Sequence, residues 1–169
     1  MWIDRILEVV PGERLVAVKG VSLSEDHLYQ HFGADADHPA EPVMPASLVL
    51  EGCAQSAGLL VGLAGGFKEK VLLAKIARAQ LDRDAAPGQT LRYTARLTRL
   101  DIAGALTNTE ISLHPEPGAP AEPIGHAEIV FSHADNTMGG LDLPEHNFVF
   151  GEAFATLLET SGVPTLGAR

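Results

Sequence analysis

The chain has 169 residues with a formal net charge of −10 and one cysteine, Cys53. That length fits one domain able to bury a sizeable core, a lone cysteine excludes an internal disulfide, and the acidic balance excludes nucleic acid as a partner, since phosphate binding draws on clustered Lys and Arg. Asp4, Arg5 and Glu8 interrupt the start where a signal peptide needs an apolar core, so a cytoplasmic location is expected.

After a Pro-Gly turn at 11 and 12, residues 13 to 23 (ERLVAVKGVSL) read as a strand. Residues 24 to 42 hold His27, His31 and His38 with aspartates and prolines, a composition of turns and sites rather than regular structure. Pro45 suits the start of a helix, which runs through an apolar stretch to Gly65-Gly66. The stretch from Val43 to Gly66 is long enough to cross a bilayer, but Glu51, Gln55 and its many small residues mark it as a buried helix without membrane insertion. Gly58, Gly62 and Gly66 recur at helical spacing, either because the helix lies close to a strand layer or as tolerated small residues.

VLLAKI (71 to 76) reads as a buried strand, and TLRYTARLTRL (90 to 100) alternates, with Leu91, Tyr93, Ala95 and Leu97 on one face. Two further strands follow, ALTNTEISL and PIGHAEIVFS, separated by the loop PEPGAP, which together imply an antiparallel meander. Residues 134 to 146 form a linker, and Glu152 to Glu159 a short helix whose apolar face is Phe154, Leu157 and Leu158. The organisation expected is a domain over 1–133 and a C-terminal extension over 134–169, with an α+β architecture in which a curved antiparallel sheet wraps one long helix. Eight of the twelve basic residues fall between 68 and 99, among them Lys68, Lys70 and Arg78. They either decorate strand faces or form a docking patch for an acidic partner.

Glu51 stands in the middle of SLVLEGCAQSAGLL, where an unpaired carboxylate is costly to bury. Ser47, Glu51 and Gln55 are four apart and share one helix face. The stripe either faces water or lines a pocket, and burial in a pocket favours the protonated carboxyl, a proton donor near neutral pH. A second group is then needed as base, with His31 and His38 the nearby candidates. Behind Pro45 the amides of Ala46 and Ser47 offer a helix N-terminus that could polarise a carbonyl. Cys53 reads as a small core residue, Asp35, Asp37 and His38 as solvated, His114, His126 and His133 as surface residues, and Trp2 and Tyr93 as packing.

These residues resemble the (3R)-hydroxyacyl-ACP dehydratases of fatty acid synthesis, whose pattern is a His-Phe loop, then PVMPG, then an apolar helix with Glu and an Ala-Gln pair. The matching text is WIDRILEVVPGERLVAVKGVSLSEDHLYQHF, EPVMPASLVLEGCAQSAGLL and IARAQLDRDAAPGQTL, and the similarity covers about residues 2 to 132. The resemblance implies a hotdog fold and a homodimer or higher even oligomer, with His and Glu supplied to each site by opposite subunits. It implies His31 as base, Glu51 as acid, Ala46 and Ser47 around the thioester oxygen, and Gln55 in support of Glu51. An acyl carrier protein would deliver the substrate on its phosphopantetheine arm, with no metal or other cofactor. The sequence departs from the pattern in three places: GADADHPAE lengthens the loop after His31-Phe32 and offers His38 as an alternative base, Ala46 replaces a glycine, and a tail follows residue 133. The competing expectations are a hotdog acyl thioesterase and a non-catalytic module that binds acyl carrier protein.

Overall fold

The computed structural model describes residues 1–134 and 149–163. Strands β1 (Arg5–Val10) and β2 (Arg14–Gly20) form a hairpin, followed by a short helix α1 (Asp26–Tyr29) and the long helix α2 (Ala46–Ala64). Four strands come next, β3 (Lys70–Leu81), β4 (Thr90–Asp101), β5 (Gly104–His114) and β6 (Glu122–Ala134), and then helix α3 (Glu152–Thr160). All pairings are antiparallel and the sheet order is β1-β2-β4-β5-β6-β3. The expected α+β layout is therefore present, with the meander at 90–132 in the anticipated order.

The inner face of the sheet is set by strict alternation: Leu91, Tyr93 and Ala95 on β4, Thr107, Thr109, Ile111 and Leu113 on β5, and Ala127 and Ile129 on β6 are buried. Helix α2 packs onto this surface, with most residues from Gly52 to Leu63 buried. It is long and apolar enough to cross a membrane by length and composition, yet here it forms the core that the sheet encloses. Pro45 is its N-cap, and it ends at Gly65 and Gly66, the latter with φ of +62°.

The glycine that sets the distance between helix and sheet is not one of the three expected. A methyl group at Gly52 would lie 2.5 Å from the Tyr93 ring of β4, so only the missing side chain lets α2 settle on the sheet. Gly58 meets Phe131 of β6 at an ordinary 3.5 Å, Gly62 abuts the aromatic rings of Phe67 and Phe150 instead of a strand, and Gly66 lies beyond the helix.

Two further expectations are corrected. β1 is absent from the sequence reading because its apolar alternation is broken by a register shift between Ile6 and Glu8. The segment 71–76 is a strand but not a buried one: β3 is the sheet edge, pairing only with β6, and Leu73 through Gln80 are exposed while Val71 is buried. Its apolar composition reflects an uncovered edge and not an interior position. At the opposite edge α3 lies against β1, burying Leu157 and Leu158 with Phe154 packed beside them. Ser161 Oγ accepts a hydrogen bond from Ile6 N–H at 3.0 Å, occupying one donor of that edge. The expected linker lies, beyond residue 134, outside the described residues.

Candidate active site

Glu51 is half-buried on α2. Gln55, one turn on, donates from Nε2 to Glu51 Oε1 at 3.0 Å. The Gln55 Oε1 in turn accepts from the backbone N–H of Trp2 at 2.9 Å. The stripe predicted from four-residue spacing thus exists, with Ser47 exposed at its N-terminal end and Gln55 as a direct partner of Glu51. At the start of α2 no side chain caps the helix, and Ala46 and Ser47, both exposed, stand in its first turn at the positive end of the helix dipole.

His31 follows α1 and is half-buried. Its Nδ1 lies 2.8 Å from the Leu28 carbonyl oxygen. A carbonyl can only accept, so Nδ1 is a donor, and in the neutral ring the lone pair lies on Nε2, the tautomer a general base needs. Tyr29 and Phe32 beside it are strongly exposed, Phe32 at 91%. His31 and Glu51 make no hydrogen bond to each other within the chain.

The segment carrying His31 is anchored by a buried cation. Lys19 at the end of β2 is only 4% exposed. Its Nζ lies 2.7 Å from Glu25 Oε1 and 3.4 Å from Asp4 Oδ1, and donates to the Gly20 carbonyl at 2.6 Å. Burial pushes the Glu25 carboxyl up, but the Lys19 ammonium and the Ser22 amide outweigh it and hold that carboxyl below its ordinary value. At the far end of the loop, Met44 is buried and its N–H donates to the Ala85 carbonyl at 2.8 Å.

Between these anchors residues 33 to 41 are all exposed. Asp35 Oδ1 accepts from the amides of Asp37 and His38, both at 2.8 Å, and lies 3.2 Å from His38 Nδ1. Those donors hold the Asp35 carboxyl below its usual range, the two amides foremost. His38, its side chain 76% exposed, is therefore bound into a turn of its own on the surface.

Of the basic residues singled out, Lys68 and Arg78 are exposed, whereas Lys70 is buried at 6% exposure, because β3 turns its first residues inward. His133 is also not the surface residue expected: its side chain is 11% exposed, with Nδ1 2.7 Å from Glu69 Oε2. His114 and His126 are half-buried on the sheet. Cys53 and Tyr93 are fully buried, and burial pushes both their thiol and phenol up, away from any nucleophilic role. His27 was given no role by sequence reasoning. Its Nε2 is buried without a hydrogen-bond partner and its ring meets Trp2 edge-on at 5.0 Å between centroids. Only the folded N-terminus brings those two rings together.

A curved antiparallel sheet wrapped on one central helix is the hotdog fold. Solved structures agree: smu.793 from Streptococcus mutans bound to acetyl CoA superposes with a TM-score of 0.57 at 9% identity, covering 77% of this chain and 87% of that one. An acyl-CoA hydrolase mutant from Staphylococcus aureus gives a TM-score of 0.57 at 12% identity over 74% and 68% of the two chains. Sequence likeness narrows the class. Residues 1–112 match the FabA-like domain. The 3-hydroxyacyl-[acyl-carrier-protein] dehydratase FabZ of Listeria monocytogenes is 31% identical over 136 residues, 80% of this chain and 86% of that protein. The FabZ of Anaeromyxobacter sp. is 37% identical over 103 residues, 59% and 62% of the two chains. The chain belongs to the FabA-like dehydratase family and is a lyase of that class.

Proposed function

We propose that the protein removes water from a (3R)-3-hydroxyacyl thioester carried on the phosphopantetheine arm of an acyl carrier protein, giving the trans-2-enoyl thioester. The observation that carries this reading is the half-buried Glu51 held by Gln55 on the core helix of a FabA-like chain. In this mechanism His31 Nε2 takes the proton next to the thioester carbonyl and Glu51 protonates the departing hydroxyl. The first-turn amides of Ala46 and Ser47 hold the thioester oxygen as charge builds on it. The carrier supplies the only prosthetic group the chemistry requires, and the reaction belongs to fatty acid synthesis in the cytoplasm.

The site is completed by a second copy of the chain. Three features support this: β3 is a twelve-residue edge with exposed Leu73 and Ile76, Tyr29 and Phe32 stand uncovered beside His31, and His31 makes no hydrogen bond to its own Glu51. Long exposed edges and clustered apolar residues are costly unless paired. Carrier docking falls to Lys68 and Arg78, which are exposed, as are Lys75, Arg83, Arg96 and Arg99 of the same basic segment.

The test is incubation with 3-hydroxyacyl-ACP followed by mass detection of the loss of one water. Glu51→Gln keeps the volume but cannot donate a carboxyl proton, and should lower turnover by about a hundredfold or more while leaving the fold intact. Near-normal turnover in that variant would remove Glu51 from the mechanism. Release of free thiol that needs Glu51 but not His31 would indicate a thioesterase, and tight carrier binding without turnover a binding module.

A further inference from the structure

The backbone N–H of Trp2, 53 residues from Gln55 in sequence, meets the side chain that holds Glu51. We infer that Trp2 is a positioning residue for the acid, acting through Gln55: it fixes which end of the Gln55 amide faces Glu51, and so which carboxyl oxygen delivers the proton. The inference rests on the reading of Glu51 as the acid.

A backbone N–H can only donate, so the atom of Gln55 it meets must be the carbonyl oxygen. The amide nitrogen is then turned to Glu51, 3.0 Å from Oε1. An N–H donor pairs with an unprotonated oxygen. When Glu51 is protonated, this donor favours the proton on Oε2, the oxygen that Gln55 leaves free for substrate, because the carbonyl oxygen is the stronger acceptor. Were the amide reversed, its oxygen would compete with substrate for that proton.

What holds Trp2 in place is visible as well. Its ring packs partly buried on the core and meets the His27 ring edge-on at 5.0 Å with 73° between planes. Ile3, the next residue, is buried, and Asp4 Oδ2 accepts from the Gly20 amide at 2.7 Å. The N-terminal segment is thus pinned at the Trp2 ring and at the two residues that follow it, as a residue that orients another must be. Because α1 also leads to His31, one residue touches both the helix of the acid and the helix before the base.

The experiment compares Trp2→Pro, which deletes the N–H, with Trp2→Phe, which keeps it along with a ring for His27, both behind one short N-terminal tag that retains Met1. Trp2→Pro should lower kcat about tenfold with KM within about twofold, since the loss falls on the step that needs the aligned proton. Trp2→Phe should recover most of that turnover. In a Gln55→Leu background Trp2→Pro should cost nothing further, because the path to Glu51 is already cut. Equal losses with and without Gln55 would mean that Trp2 acts on the fold alone, and an unchanged kcat would end the proposal outright. Amide exchange gives a readout independent of the Trp2 variants. The Trp2 amide proton should be protected in the unaltered protein and lose that protection in Gln55→Leu, and an unprotected amide in the unaltered protein overturns the inference. A Glu51→Gln variant that stays active would instead overturn the underlying assignment of the acid.

Discussion

Two alanine substitutions six residues apart on α2 should change stability in opposite directions. Replacing a helical glycine by alanine ordinarily stabilises by up to about 1 kcal/mol, because glycine loses more backbone freedom on folding. At Gly58 the new methyl meets Phe131 at 3.5 Å, an ordinary contact, so Gly58→Ala should gain about 0.5–1 kcal/mol. At Gly52 the methyl would lie 2.5 Å from Tyr93 Cζ and Oη, both in a fully buried ring. The helix or the ring must move by about an ångström, and overpacking of that kind costs about 1–3 kcal/mol, which outweighs the gain in propensity. Gly52→Ala should therefore be less stable than Gly58→Ala by about 1–3 kcal/mol, or several degrees in Tm for a chain of this size. Urea unfolding at one protein concentration, with unchanged m, is the assay, the fixed concentration removing any contribution from association. The Gly52 variant should also lose turnover, since a displaced α2 carries Glu51 with it. Equal stabilisation by both substitutions would refute the argument, showing that Tyr93 swings aside freely and does not set the distance between helix and sheet.

Three other outcomes follow from the site. His31→Ala should abolish dehydration while His38→Ala lowers it less than tenfold, about 1.4 kcal/mol of barrier, and the reverse ranking in steady-state kinetics would make His38 the base. Because the Glu25 carboxyl is held low beside Lys19, its contribution to stability is present above the ordinary carboxylate range and lost as pH falls through the lowered value. The stability gap between the unaltered protein and Glu25→Gln, followed by denaturant unfolding, should accordingly be widest near neutral pH and close as pH falls through the ordinary carboxylate range and below it, and a gap independent of pH would contradict it. Reversing Lys68 and Arg78 to Glu should raise KM for an ACP-bound substrate several-fold with little change for a CoA-bound one, whereas equal effects on both would point to a local structural role.

The helix from Pro45 to Gly65, the alternating strand at 90–100, the meander that follows and the apolar face of α3 were all legible in the sequence. Each is set by a local period or a terminating residue that needs no distant partner. The polar stripe of Ser47, Glu51 and Gln55 was legible for the same reason, since four-residue spacing alone puts the three on one face. Other features depend on what lies opposite in space. β1 was hidden by its bulge, and β3, apolar enough to read as interior, became an exposed edge because the sheet order ends with it. Lys70 and His133 went inside, and Gly52 took the close approach expected elsewhere on α2, because the register of strand against helix chooses among residues of similar character. The contact of Trp2 with Gln55 spans 53 residues and uses a backbone donor that every residue but proline possesses, so no side-chain pattern could announce it. The sequence by itself thus determined the elements and the chemistry available to them; the tertiary structure decided which of those groups are buried, paired and aimed, because long-range packing and hydrogen bonding leave no local periodicity behind.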